Sequence, residues 1–211
     1  MTETETVTEA EVETPVAQPG PTAPGLTLRP WHPRDAPALL AAHRDPVMRR
    51  WLVTDLTNAT EARRWIDAQS EAWADGTRFS FAVIDADADA DAGPVAGADR
   101  LLGHVTLKVR PYGSRSGAAS EVGYWTVPEA RGKGVAPRAL EAVSRWAFAT
   151  RRALPPGRLE LLHAAANRGS CRVAQKCGYV MHSVLPPFPP DYPGEGHLHV
   201  RVDRATPAPP P

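Results

Sequence analysis

The segment Val127-Pro128-Glu129-Ala130-Arg131-Gly132-Lys133-Gly134-Val135-Ala136 sets two glycines between an alternating apolar run and the start of a helical pattern. Glycine lets the main chain approach a ligand closely, and the first N–H groups of a helix have no intrahelical partner and lie at the positive end of its dipole. Together they form a cradle for a pyrophosphate. Two familiar nucleotide loops are excluded by spacing. A mononucleotide loop reads G-x-x-x-x-G-K-[ST], but Lys133 is followed by Gly134, which leaves no hydroxyl for magnesium. A dinucleotide fingerprint needs a third glycine, and Gly132-Lys133-Gly134 runs on into Val135, Ala136 and Pro137.

The elements around this turn follow from periodicity. Residues 26–31 alternate apolar with polar side chains and reach a proline, which reads as a first strand. Residues 35–44 form one helical segment. Asn58-Ala59-Thr60-Glu61 has the spacing of an N-cap with a carboxylate three residues on, opening a second helix that runs to about Ala74 and stops at Asp75-Gly76. Trp51, Trp65 and Trp73 are expected to pack this helical pair. Residues 79–84 and 101–110 read as strands separated by an Ala-Asp repeat, a solvated hairpin insert over 86–100. A strand at 121–127, a helix at 135–149, a strand at 158–165, a helix at 167–177 and strands at 178–185 and 197–203 complete the pattern. Pro186-Pro187-Phe188-Pro189-Pro190-Asp191-Tyr192 is too proline-rich for a strand and is expected to be a loop beside the ligand cleft. The fold class is therefore α/β. Its mixed, mostly antiparallel sheet has six to seven strands, a parallel βαβ unit at its centre and flanking helices.

With 211 residues the chain accommodates one well-packed domain with tails. Residues 1–25 hold five Glu and no base and are expected to be disordered, as is the proline-rich end from 205 to 211. The ordered domain spans 26–204. The start of the chain lacks the basic and apolar pattern of a secretory signal, and its most apolar short run, residues 38–42, falls far below the roughly 18–20 residues a membrane span needs. The expected location is the cytoplasm, with no membrane partner. Net charge is zero, with 24 acids and 24 bases. Five acids sit in the first tail and five between Asp85 and Asp99, so the remainder sets 14 acids against all 24 bases. That surplus suits a polyanionic ligand. Nucleic acid is not the expected partner, because the bases are spread along the chain with no run of five.

Cys171 and Cys177 lie six apart in one expected helix and so on different faces, where they do not readily bridge, and packing is their default reading. His163 and His182 rank low as bases. His197-x-His199 sets two imidazoles on one face of the last strand, but no cysteine or carboxylate partner is evident from spacing, and no metal is expected.

Arg131-x-x-Gly134-x-Ala136 at a strand-to-helix turn resembles the acyl-CoA loop of the GNAT superfamily of N-acetyltransferases. Glu121-Val122-Gly123-Tyr124-Trp125 before it, and Asn167-x-x-Ser170 running into Ala174-Gln175-Lys176-Cys177-Gly178-Tyr179, resemble the ribosomal-protein N-terminal acetyltransferase branch, with likeness over residues 26–204. The resemblance implies a single GNAT-like domain whose fourth and fifth strands splay apart around pantetheine. It implies that Trp125, Thr126 and Val127 line that arm, that the amides of Gly132, Lys133, Gly134, Val135 and Ala136 meet the pyrophosphate beside Arg131, that Asn167 contacts pantetheine and that Ser170 lies near the sulfur. Acetyl-CoA is then a co-substrate and the partner is an amine acceptor. Monomer and homodimer both stay open.

Acetyl transfer from a thioester to an amine requires a neutral nucleophile, a stabilised oxyanion and a protonated leaving thiolate. A protein α-amine has a reference pKa of about 7.7–8.0 against about 10.4 for Lys, so an N-terminal acceptor needs little help losing its proton. Glu121 is the first candidate for a base, since alternation sets it on the same face as Gly123 and Trp125; a surface or loop-pairing carboxylate is the competing reading. Ser170 is the candidate donor to the thiolate, with a plain helix-start hydroxyl as its alternative. Tyrosine, the acid of other branches, is missing from this helix, which has Ala174, Gln175 and Lys176 instead. A protein or peptide N-terminus is the leading acceptor. A small amine such as an antibiotic, polyamine or aminoacyl nucleotide is the alternative, and a non-catalytic CoA-binding regulatory module is the rival of another class.

Overall fold

The computed structural model describes residues 16–17, 25–86, 100–109, 120–149 and 157–203. The proline-rich end, nearly all of the acidic tail and all but the ends of the acidic insert lie outside the described residues.

Strand β1 (Val16–Ala17) and β2 (Leu26–Pro30) lead into α1 (Ala36–Ala42), α2 (Pro46–Trp51) and α3 (Ala59–Ala74). Then follow β3 (Arg78–Asp85), β4 (Leu101–Lys108), β5 (Ser120–Thr126), α4 (Val135–Ala149), β6 (Arg158–Ala164), α5 (Arg168–Lys176), β7 (Val180–Leu185) and β8 (Gly196–Val202). One mixed sheet runs β1-β2-β3-β4-β5-β6-β8-β7. Every neighbouring pair is antiparallel except β5 and β6, joined through α4 as the expected βαβ unit. Seven strands of five to eight residues carry the sheet, and the two-residue β1 pairs Val16 with Thr27 inside the segment expected to be disordered.

Capping residues set the helix starts. Asn58 accepts from the Glu61 N–H at 3.0 Å, while the Glu61 carboxylate accepts from the Thr57 N–H at 2.7 Å, which fixes the start of α3 where the spacing placed it. Helix α2 was not anticipated. Asp45 caps it by accepting from the N–H groups of Val47 and Met48, and Pro46 takes the first helical position, where a missing N–H costs nothing.

Alternation along β3, β4 and β5 divides the packing. Ser80 of β3 donates to Gln69 of α3 at 2.7 Å, and Trp31 stacks edge-on to Trp65 at 5.2 Å beside His104 and Trp125. Phe79 and Phe81, of opposite parity to Ser80, meet Trp146 of α4 at 5.1 and 5.5 Å. Trp73, at the end of α3, reaches the same two phenylalanines. Trp65 and Trp73 thus join the core as expected, whereas Trp51 is only half-buried under the Arg50 guanidinium. Tyr179, fully enclosed, holds α4 through its hydroxyl bond to Ser144 at 2.7 Å. Among the described residues, no helix is long and apolar enough to cross a membrane.

Candidate active site

The parallel pair that forms the centre of the sheet comes apart partway. Ser120, Glu121 and Val122 of β5 pair with Leu159, Glu160 and Leu161 of β6, and there the ladder stops. Beyond it β6 pairs only with β8, and Gly123–Thr126 pair only with β4. The N–H of Val127 bonds back to the Leu102 carbonyl, so alternation turns the main-chain groups of Trp125 towards β4 and those of Tyr124 and Thr126 into the gap. A Cβ on Gly103 would lie 2.4 Å from the Trp125 carbonyl oxygen, so glycine is what lets β4 hold this end of β5 so closely. The Trp125 ring lies against Trp31, His43 and His104 and is buried.

At the open end of the gap, Pro128–Ala130 make a single 3-10 turn before Arg131. Gly132 and Gly134 have φ of 75° and 74°, values that exact a steric cost from any residue with a Cβ. Gly132 and Lys133 are exposed, while Val135 is buried and anchors α4 from beneath. Among the described residues, the N–H groups of Gly132, Lys133 and Gly134 make no well-formed main-chain hydrogen bond. Val135 and Ala136 contribute the first amides of a helix of 15 residues. These amides thus remain available to an anion. Arg131 is turned away from them. Its guanidinium pairs with Asp45 and lies 3.4 Å from the Thr126 carbonyl, tying the start of α2 to the turn, and that pairing holds the Asp45 carboxyl below its usual range.

Across the gap, Asn167 caps α5 by accepting from the Ser170 N–H at 3.1 Å. The Ser170 hydroxyl, buried, is 2.8 Å from the Tyr124 hydroxyl. Burial pushes the Tyr124 phenol up to about 12, against the opposing pull of the Ser170 bond, so the phenol stays protonated and able to donate. Tyr124 is not among the residues that the sequence pointed to; the signal for it is alternation, which turns Tyr124 to the face opposite Glu121. Glu121 pairs with Lys108 of β4 at 2.7 Å. The fold therefore brings Ser170 to Tyr124 but does not bring Glu121 to Ser170.

The histidines divide into three environments. His104 is fully buried, accepts from the Trp31 indole at Nδ1 and has its pKa driven by burial down to about 3; burial lowers His43 in the same direction. His182 is exposed. His163, His197 and His199 converge with Cys171, their ligand atoms all within 4.8 Å of one another. Burial holds the His163 and His199 rings below the ordinary imidazole value. Cys177 instead packs, its thiol on the Pro137 carbonyl. The loop at residues 186–192 is exposed, with Phe188 and Tyr192 bonded to each other through their main chains.

Comparison with known proteins places this arrangement. The model of the acetyltransferase (GNAT) domain matches residues 25–180. Similar solved structures include a ribosomal L7/L12 α-N-protein acetyltransferase, RimL, in complex with coenzyme A, at 16% identity with a TM-score of 0.72, covering 90% of this chain and 99% of that one. RimJ from Mycobacterium smegmatis, in complex with CoA-disulfide, is 17% identical with a TM-score of 0.70 over 92% of this chain and 88% of its own. The microcin C7 self-immunity acetyltransferase MccE, in complex with acetyl-CoA and AMP, is 13% identical with a TM-score of 0.69 over 87% and 98%. No curated protein matches the chain. With a splayed parallel pair, an open glycine turn at the start of α4 and a family match across most of its length, the chain belongs to the GNAT family of acetyltransferases and is an N-acetyltransferase.

Proposed function

We propose that the protein transfers acetyl from acetyl-CoA directly to an amine and that its acceptor is a protein or peptide N-terminal α-amine. The observation that carries the reading is the turn at Gly132 and Gly134, whose exposed amides stand free at the mouth of the gap between β5 and β6. The donor set suits an anionic, extended co-substrate: main-chain N–H groups at a helix start for pyrophosphate, and the main-chain edge of Tyr124–Thr126 for an amide-bearing arm. Acetyl-CoA supplies the acyl thioester.

Every other step falls to the chain. Gly132–Ala136 hold the phosphates, with Lys133 beside them and Arg131 bracing the turn through Asp45. Trp125–Val127 and Asn167 line the arm. A main-chain N–H of Tyr124 or Thr126, aimed into the gap, meets the charge that develops on the acyl oxygen as the amine attacks. Ser170 and Tyr124 share a proton next to the leaving sulfur and hand it over as the C–S bond breaks. Glu121, paired with Lys108, takes the amine proton through water. An α-amine at about 7.7–8.0 needs no stronger base. The fold similarity to a ribosomal L7/L12 α-N-protein acetyltransferase supports this acceptor class.

The test is to incubate the protein with acetyl-CoA and a mixed panel of peptides, polyamines and aminoacyl nucleotides and to read by mass spectrometry what gains an acetyl group. Acetylation at peptide N-termini is expected. Exclusive acetylation of small amines moves the acceptor to the small-molecule class, and CoA binding with no product from any amine makes the chain a binding module.

A further inference from the structure

We propose that His163, Cys171, His197 and His199 form a binding site for a borderline-soft divalent ion, zinc foremost, that ties α5 to β6 and β8. His163 and His197 are direct cross-strand partners, and His199 lies two residues further along β8 on the same face. Cys171 comes down from the first turn of α5 onto this trio. Its sulfur is 3.2 Å from His197 Nδ1 and 3.6 Å from His163 Nε2. A tetrahedral ion with metal–nitrogen bonds near 2.0–2.1 Å and a metal–sulfur bond near 2.3 Å has nitrogen–sulfur edges of roughly 3.5 Å. The four ligand atoms already fall within 4.8 Å of one another, so small side-chain rotations close the remaining edges.

The polar accounting of the cluster is incomplete without an ion. His199 is buried, and neither of its ring nitrogens completes a well-formed hydrogen bond, although the Tyr179 main chain lies close enough to act on the ring. A buried polar ring without a partner costs free energy, and an ion on one nitrogen with a carbonyl near the other removes that cost. His163 has the arrangement already: its Nδ1 is 2.8 Å from the Ala164 carbonyl, which directs Nε2 inward. That is the outer support a ligating imidazole ordinarily has. The rings are stacked or edge-on, with His163 and His199 centroids 5.2 Å apart.

Ligand chemistry selects the ion. Three imidazoles and a thiol, with no carboxylate or carbonyl ligand, disfavour magnesium and calcium and suit zinc or its first-row neighbours. Four protein ligands fill a tetrahedral shell, so the site is closed and structural. On binding, the Cys171 thiol releases its proton to solvent and the thiolate bonds the ion. Cys171 directly follows Ser170, so the ion fixes the turn of α5 that presents Ser170 to Tyr124.

The experiment is titration of the full-length protein, stripped with chelator, with Zn2+ and with Co2+. The expected result is one equivalent bound at sub-micromolar Kd, a rise in Tm with zinc, and a cobalt complex with a thiolate charge-transfer band in the near ultraviolet and the intense visible bands of a tetrahedral site. Cys171→Ser, which keeps the side chain's size, should abolish the charge-transfer band and weaken binding by about 10–100-fold or more. His182→Ala, exposed and outside the cluster, should leave both untouched. If Cys171→Ser does not fold, His163→Gln, at the half-buried edge of the cluster, carries the affinity comparison: binding as tight as in the unsubstituted protein overturns the proposal. Absence of stoichiometric binding, a millimolar Kd of the kind stray surface imidazoles give, or a cobalt spectrum unchanged by Cys171→Ser overturns the proposal.

Discussion

The Tyr124 and Ser170 hydroxyls lie 2.8 Å apart, joining the stretch of β5 that has left β6 to the first turn of α5 across the gap in the sheet. Asn167 engages the Ser170 N–H and burial keeps the Tyr124 phenol protonated, and on these grounds the pair is proposed as the proton source. Tyr124→Phe removes the donor but keeps the ring and its packing. It is expected to lower kcat by about 10²-fold, in the range of a lost general acid, with little change in KM for acetyl-CoA. Ser170→Ala should cost less if Tyr124 is the final donor, and more if Ser170 is. Steady-state kinetics of the two variants with one peptide acceptor decides the order of the relay, and wild-type kcat in both removes the pair from the chemistry.

Gly134 carries the second prediction. At a φ of 74°, a Cβ meets no neighbour but forces a strained main chain. Gly134→Ala is therefore expected to cost on the order of 1 kcal/mol in stability and to weaken CoA several-fold by shifting the turn. Gly134→Glu adds a carboxylate where the pyrophosphate is proposed to lie, and CoA binding measured by calorimetry should vanish while the circular dichroism spectrum stays that of the folded protein. Wild-type CoA affinity in Gly134→Glu contradicts the placement of the phosphates.

The ion pair between Arg131 and Asp45 leads to a different expectation from the one the family resemblance invites. Arg131 is occupied by Asp45 and the Thr126 carbonyl, so its role is to dock α2 onto the turn and its charge reaches the phosphates only at a distance. Asp45 also caps α2, and losing a cap costs about 1 kcal/mol. Asp45→Asn keeps the cap and breaks the ion pair. Its Tm should fall only slightly, while KM for acetyl-CoA changes as Arg131 is released. Arg131→Ala should raise KM more than it lowers kcat. Equal losses in kcat and kcat/KM for Arg131→Ala would assign it to the transition state instead.

How much of this was legible beforehand depends on the range of the interaction that fixes each feature. The boundaries of α3 and α4 were readable because Asn58, Glu61 and the glycine turn act within a few residues of themselves. The short α2 carried an equally local signal in Asp45-Pro46, an N-cap followed by a first-turn proline, but its six residues hold too little periodicity to announce a helix. Side-chain meetings were another matter. Ser170 and Tyr124 are 46 residues apart, and Cys171 finds His197 across 26; only the crossing of α5 over β6 and β8 brings them together. Spacing along one strand placed His197 and His199 on one face, yet the ligands that complete the cluster come from two other elements and had no sequence signature.

Glu121 gives a fourth prediction, tied to the acceptor. Its carboxylate is paired with Lys108 at 2.7 Å, which restrains it electrostatically. Glu121→Gln should lower kcat/KM by no more than about tenfold for a peptide α-amine, whose own pKa leaves a useful neutral fraction near pH 8. Lys108→Ala, which removes this ion pair, should leave the rate equal or higher. A loss of about 10³-fold in Glu121→Gln would make it an obligatory base and weaken the case for an α-amine acceptor.

Stability against pH should report His104. Burial lowers its folded pKa to about 3 from an ordinary 6.5, and the Trp31 indole donates to its Nδ1, an arrangement that needs the neutral ring. A depressed folded pKa means that the unfolded chain takes up the proton first, so the contribution is complete above about 6.5 and is lost as the pH falls towards 3. The slope for one such group is about 1.4 kcal/mol per pH unit. His43, His163 and His199 are shifted the same way by burial and steepen the fall. Urea unfolding at pH 8, 6 and 5 should therefore give a midpoint that drops with acidification, and His104→Gln, which can still accept from Trp31, should be less stable at pH 8 but should flatten the curve. An undiminished slope in that variant would place the acid sensitivity in the cluster around His199 instead.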